Sequence, residues 1–110
     1  MKTAVTALVL SSFLAGAAFA ECTRESAPNI PDGKNASEAD LIAAQQAVKS
    51  YMASAEAYIA CLQEEQKAAG EEEPAEAKAA RLQSHNATAD EMNVVATGFN
   101  EAIKAFKAAQ

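Results

Sequence analysis

Two cysteines, Cys22 and Cys61, carry the most specific chemistry in this 110-residue sequence. In an oxidising compartment, a cysteine pair in a small chain is typical of a single disulfide. An intermolecular bond and a redox-active thiol are the alternatives, and the lack of a C-x-x-C motif argues against catalytic redox work. We expect an intrachain bond, which would close a loop of about 40 residues and stabilise the fold by roughly 4 kcal/mol in the chain-entropy model.

His85 is the only histidine of the chain. One histidine without paired cysteines makes no standard zinc site, and no methionine falls in its layer to complete a b-type haem site. We expect a residue at the edge of the core, hydrogen-bonded near Tyr58, with a ligand role as the weaker alternative. The sequence has no meaningful nucleophile–base spacing and no glycine-rich phosphate loop. It therefore predicts no catalytic residue, no metal, no cofactor and no enzyme activity.

Residues 1–20 have the pattern of a secretory signal, with Lys2, a short apolar run and an A-x-A cleavage site at 18–20. The apolar run is too short to span a membrane, and Glu21 follows the cut where a lipid anchor would need a cysteine. Cleavage removes Lys2 from nine basic residues, which leaves eight against 15 acidic ones and a net charge of −7. We predict a periplasmic or secreted protein that binds neither nucleic acid nor anionic membrane surfaces and inserts into no membrane after cleavage.

The organising element of the mature chain is a predicted helix over residues 37–69. Ser37 is a favourable N-cap, Asp40 completes a weak capping box, and Gly70 suits a left-handed C-cap. Its apolar seam alternates spacings of four and three, at Leu41, Gln45, Val48, Met52, Ala55, Ile59, Leu62, Gln66 and Ala69. A second face adds Tyr51, Tyr58 and Cys61 and needs cover of its own.

The segment 21–36 is predicted to supply that cover as an extended strap. Pro28, Pro31 and the turn pair Asp32-Gly33 prevent a long helix. At about 3.1 Å per residue, the segment is long enough to run back along the helix from Ser37 to the level of Cys61. Ile30 and the prolines would then cover the tyrosine face; the alternative is a loose tail tethered only by its disulfide.

An acidic tip at 70–73 separates the first helix from a second predicted helix over 74–109, with Pro74 in its first turn. A short connection between helices of matched length predicts an antiparallel hairpin, in which residues whose numbers add to about 143 lie level. We expect a continuous second helix, although the residues near Ser84 and Thr88 could start one afresh. Its predicted seam comprises Leu82, His85, Ala89, Met92, Ala96, Phe99, Ile103 and Phe106.

The fold class that these features predict is all-α: an antiparallel two-helix hairpin with an extended N-terminal strap held by a disulfide. Short motifs follow one another along the mature chain: Glu21-Cys22, P-x-x-P-D-G at 28–33, A-Q-x-x-V-K-x-Y at 44–51, Y-x-x-C-L at 58–62, His85-Asn86 and Phe99-Asn100. Together they resemble a group of small exported proteins of Gram-negative bacteria. The group has no assigned activity, so the resemblance implies a compartment and an architecture but no active site.

The composition favours a non-enzymatic envelope protein that binds a protein partner or a second copy of itself. Alanine-rich helices bury little apolar area, so a homodimeric four-helix bundle is one expectation. A periplasmic chaperone, or a small-molecule or haem carrier formed by such a dimer, is the alternative. The residues that we expect on the interaction face are Tyr51, Tyr58, His85, Phe99, Ile103 and Phe106.

Overall fold

Two long helices and an extended N-terminal segment make up the structure. The computed structural model describes residues 21–110, so the predicted signal segment 1–20 lies outside the described part. Helix α1 is Glu38–Ala69 and helix α2 is Ala75–Ala109, and no strand occurs between residues 21 and 110. The helices pack against each other as an antiparallel hairpin, and the predicted fold class is confirmed.

Helix α1 begins at the predicted cap. Ser37 Oγ accepts a hydrogen bond from the Asp40 amide at 3.1 Å, and the Asp40 carboxylate accepts one from the Ser37 amide at 2.8 Å. This reciprocal capping box satisfies amides that a first helical turn leaves without intrahelical partners. The bond from the Ser37 amide, with a contribution from the Ser37 side chain, holds the pKa of Asp40 below its usual value.

A tight connection between Ala69 and Ala75 reverses the chain. Gly70 has a φ of 66°, in the left-handed region that glycine enters without steric cost. Its amide donates to the Gln66 carbonyl at 3.3 Å and so ends α1. Pro74 is the N-cap residue of α2 rather than a residue of its first turn; the helix therefore starts one position later than predicted.

Helix α2 is continuous through the stretch where a break was the alternative prediction. Thr88, the residue that would have capped a new helix, is fully buried. Its hydroxyl donates to the Ser84 carbonyl one turn earlier, at 2.7 Å. This bond within the helix satisfies the threonine without interrupting the backbone ladder.

The strap, residues 21–36, lies in the groove between the two helices. Cys22 is bonded to Cys61 in the second half of α1, whereas Gly33 lies against Ala102 near the end of α2. The strap therefore runs antiparallel to α1, as predicted. It differs from the prediction in contacting both helices rather than α1 alone.

The buried seam of α2 is displaced by one position from the predicted one, and that of α1 is displaced in part. In α2 the buried residues are Thr88, Val95 and Ala102, each one position before a predicted seam residue. In α1 the predicted seam residues Leu41, Ala55 and Leu62 are buried, whereas Ala44 and Tyr51 are buried one position before the predicted Gln45 and Met52. The predicted seams assumed one helix–helix contact, but the strap forms a third layer, and burial shifts toward the side that it covers.

The register of the hairpin agrees with the prediction. Tyr51 in α1 is hydrogen-bonded to Glu91 in α2, and their numbers sum to within one of the expected value. Met52 and Met92 also pack against one central cluster, formed by Tyr51, Ala55 and Val95. A short connection leaves little freedom in register, because each residue of slip would have to be absorbed at Gly70 or Pro74.

Candidate functional site: the latch, the open groove and the tip cavity

The disulfide between Cys22 and Cys61 holds the N-terminal end of the strap. Its Cα atoms are 5.7 Å apart, in the range of an ordinary disulfide. A carboxylate oxygen of Glu65 lies 3.2 Å from Cys22 Sγ, and the three side chains together have the proximity of metal ligands. Thiolates rather than disulfide sulfurs bind metals. When the two cysteines are oxidised, the Glu65 carboxylate is therefore the one remaining metal ligand of this cluster.

Arg24 forms the second attachment of the strap, which we call the latch: Arg24, Tyr51, Tyr58 and Glu91. The Arg24 guanidinium donates to the Glu91 carboxylate at 2.5 Å and lies 3.4 Å from the Tyr51 hydroxyl. The Tyr51 hydroxyl donates to the same carboxylate oxygen at 2.6 Å. The guanidinium carbon also lies 5.6 Å from the centre of the Tyr58 ring, within the range of a cation–π contact. One arginine thus joins the strap to both helices.

The latch shifts the ionisation of its members. The hydrogen bond from Tyr51, followed by that from Arg24, holds the pKa of Glu91 below its usual value. Burial, reinforced by the neighbouring Glu91 carboxylate, raises the pKa of Tyr51 to about 12. The bond to Glu91 raises the pKa of Arg24. At neutral pH the latch therefore holds a neutral phenol, a carboxylate and a guanidinium.

Polar and backbone contacts continue the attachment along the strap. The Glu25 amide donates to Ser54 Oγ at 2.8 Å, and the Glu25 carboxylate accepts from Ser50 Oγ at 3.0 Å. Further on, a Cβ built on Gly33 would overlap with the Ala102 carbonyl oxygen. Only glycine lets the strap approach α2 this closely. The strap is therefore a packed layer and not a loose tail.

The predicted interaction residues do not share one face. Tyr51 is 1 % exposed and lies inside the latch, so its assignment to an interaction face is corrected. Tyr58 is half-buried beneath Arg24 and also belongs to the strap side. His85 is half-buried in the first half of α2, with its Nδ1 3.4 Å from the side-chain oxygen of Asn86. The three remaining residues, Phe99, Ile103 and Phe106, are half-buried along the second half of α2.

Half-buried apolar side chains remain on the side of α1 that faces away from the strap, and also on α2. The strap binds α1 through Ser50, Ser54 and Cys61, and a helix turns about 100° per residue. Met52 is two residues from Ser50 and from Ser54, and Ile59 is two residues from Cys61. A spacing of two residues is a rotation of about 200°, so both side chains lie on the opposite side of α1. We use the name open groove for this side of α1 together with the half-buried apolar residues of α2; its residues are Met52, Ile59, Met92, Phe99 and Ile103.

A cavity of about 210 Å³ opens between the helices at the tip end of this side, beyond the disulfide. Its lining residue Arg81 is 13 % exposed and makes a bidentate ion pair with Glu73, which does not line the cavity and is 8 % exposed. This bond lowers the pKa of Glu73 and raises that of Arg81. Arg81 Nε is buried with no hydrogen-bond partner among the described residues. The residues lining the cavity are Leu62, Gln63, Gln66, Lys78, Arg81, Leu82 and His85.

The polar members of the latch and the cavity were not found from the sequence. Four charged residues look like ordinary solvent-exposed ones in the sequence, because none of them belongs to a motif: Arg24, Glu73, Arg81 and Glu91. One available signal was the position of Arg24 two residues after Cys22. Since a disulfide fixes Cys22 on the tyrosine face, the next long side chain on the same side of an extended strand must lie near that face.

Comparisons of the chain with protein-family models, with curated proteins and with solved structures gave no match. Between residues 21 and 110, no helix is both long and apolar enough to cross a membrane.

Proposed function

We propose that this chain is an exported, non-enzymatic helical protein of the cell envelope that binds a protein partner through the open groove. The observation that carries the proposal is partial burial: five large apolar side chains of the two helices remain half-buried although the strap already covers the core. Apolar stripes of this kind are typical of helices that receive another helix or a protein segment.

Export is the second part of the proposal. The signal-like pattern of residues 1–20 and the pairing of both cysteines support an oxidising compartment, either periplasmic or extracellular. Intact-mass measurement of the exported protein should give a chain that begins at Glu21. A chain that retains residues 1–20, or a lipid mass on Cys22, would contradict this part.

Site-specific photo-crosslinking in living cells tests the binding surface. A photoreactive residue placed at Ile59 or at Phe99 should give a discrete adduct, because both positions line the open groove. The same residue at Ala57, which is exposed and about 200° around α1 from Ile59, is the matched control and should give none. Equal labelling from Ala57 and the groove positions, or no adduct from either, would overturn the proposal.

The adduct mass separates the alternatives. A mass of twice the mature chain would identify a second copy, as in a homodimeric four-helix bundle, and many adducts of different mass would indicate a chaperone. A haem carrier would instead show a Soret absorption band in the purified protein. The proposal expects one heteromeric adduct and a colourless protein.

A further inference from the structure

The tip cavity has a chemical character unlike the rest of this acidic protein. The chain carries a net charge of −6, yet none of the side chains that line the cavity is acidic. Lys78, Arg81 and His85 lie at spacings of three and four and so share one side of α2. Basic groups are thus concentrated at a concave site, where they can surround a bound molecule.

Of the two cationic side chains that line the cavity, Arg81 has an ion-pair partner among residues 21–110 and Lys78 has none there. Both terminal nitrogens of Arg81 are occupied by Glu73, which Lys78 also influences electrostatically. Lys78 itself makes no ion pair within the part of the chain that the structure describes, whereas Lys67 and Lys104 each pair with a glutamate. The cavity therefore retains one cationic group without a partner, together with the unpartnered Nε of Arg81.

The remaining walls of the cavity are apolar or neutral. Leu62 is buried at its α1 side, and Leu82, at its α2 side, is 61 % exposed. An inorganic anion would satisfy Lys78 but leave Leu82 in water. A neutral apolar molecule would cover Leu82 but leave Lys78 unpaired. A molecule with one negative charge and an apolar body satisfies both.

We propose that the tip cavity binds a small monocarboxylate, with its carboxylate at Lys78 and His85 and its apolar chain against Leu62 and Leu82. The volume of about 210 Å³ is below the range of about 300–1,000 Å³ of most ligand sites. It therefore suits a short acid rather than a drug-sized molecule or a haem. The site lies within one hairpin and is independent of the proposed protein binding at the open groove.

Titrations of the mature, oxidised protein with octanoate, octanol and inorganic phosphate test the proposal. Backbone NMR shifts should move at Leu62, Lys78 and Leu82 with octanoate. Octanol, which matches the chain but lacks the charge, and phosphate, which has charge without a chain, should each bind at least about tenfold more weakly. Octanol or phosphate binding as tightly as octanoate, or shifts confined to the open groove, would overturn the proposal.

Two substitutions sharpen this test. Lys78→Gln removes the unpaired cation and should weaken octanoate binding about tenfold. Lys67→Gln removes a lysine that is outside the cavity and already paired with Glu64, and it should leave the affinity unchanged. Thermal unfolding of both variants reports whether the fold is retained. Equal affinities of the Lys78 and Lys67 variants in folded protein would exclude the site.

Discussion

The hydroxyl of Tyr51 donates a 2.6 Å hydrogen bond to Glu91, across the interface between α1 and α2. The same carboxylate oxygen accepts from Arg24 of the strap, so three segments that are distant in sequence meet at one atom. Because the phenol is fully buried, this bond is a structural element rather than a reactive site. Its contribution can be measured directly.

Replacing Tyr51 by Phe should destabilise the protein by about 2 kcal/mol, since a buried bond to a charged acceptor is lost while the ring is kept. Urea unfolding at pH 7 measures the change. Tyr58→Phe is the matched control, because the contact of Tyr58 with Arg24 uses the face of the ring, which phenylalanine keeps. We expect this variant to lose less than about 0.5 kcal/mol of stability. Similar losses for the two variants would contradict the proposed role of the hydroxyl.

The Tyr51 phenol should ionise at a higher pH in the folded protein than in the unfolded chain. The chain has two tyrosines, so in Tyr58→Phe the absorbance at 295 nm reports Tyr51 alone. Its pKa of about 12 exceeds the unfolded value of about 10. The associated stability is therefore fully present below about pH 10 and is lost as the pH rises toward 12. The same titration midpoint for the folded protein in buffer and for the protein unfolded in urea would show that the phenol is not buried as described.

Glu91 should make the free energy of unfolding decrease at acidic pH. Its pKa is lowered in the fold, so its contribution is present above the unfolded pKa of about 4.3 and is lost as the pH falls through the folded value. The side chain is 37 % exposed, and solvent screening keeps the effect modest. Glu91→Gln should therefore be less stable than the parent protein at pH 7, and the gap should narrow at acidic pH. Glu101→Gln, at an exposed pair with Lys104, should show no such narrowing.

Removing both cysteines, as Cys22→Ser with Cys61→Ser, should cost about 4 kcal/mol in the chain-entropy model. The strap loses its far anchor, and trypsin should cleave after Arg24, which is mostly buried in the oxidised protein. Pro28 and Pro31 should become protease-accessible, and Tyr51 and Tyr58 more exposed. Cleavage after the exposed Lys107 provides the baseline rate. If stability and tyrosine exposure remain unchanged, the packing of the strap does not depend on the bond.

Two glycines give opposite expectations for the same substitution. Gly33→Ala would make the new Cβ overlap with the Ala102 carbonyl oxygen, and overpacking of this kind costs about 1–3 kcal/mol. Gly98→Ala would place one 3.8 Å from Ile30 Cγ1, an ordinary contact. It should stabilise α2 by up to about 1 kcal/mol through helix propensity. Urea unfolding of the two variants should move in opposite directions, and a neutral Gly33→Ala would show that the strap does not approach α2 so closely.

Local signals in the sequence were sufficient for the helices and their order. Ser37 and Gly70 carry their capping function in their own chemistry, and the short connection fixes the register. The reach of the strap follows from its length and its prolines. These features depend on residues close together in the chain, where physical rules act without knowledge of the rest of the fold.

The position of the buried seam could not be predicted in the same way. Burial of Ala44 and Thr88 instead of Gln45 and Ala89 depends on the strap entering the groove between the helices. The second apolar face at Tyr51, Tyr58 and Cys61 indicated that α1 needs further cover, but helical periodicity does not show that an extended strap will also contact α2. Arg24 and Arg81 were missed for a related reason, because their burial depends on glutamates that only the folded chain brings to them.

The disulfide has a topological consequence for the integrity of the chain. It closes a covalent loop through the strap and α1, and α2 lies outside that loop. A single cut between Glu71 and Glu72 would therefore yield two separate molecules, one a cross-linked strap and helix, the other a lone helix carrying Thr88 and Glu91. The larger fragment would present a vacant trough fitted to one helix, and the smaller would be its natural occupant. The strap and α1 thus act as a binding site for α2, and in the intact protein a short acidic connection links this site covalently to the helix that it binds.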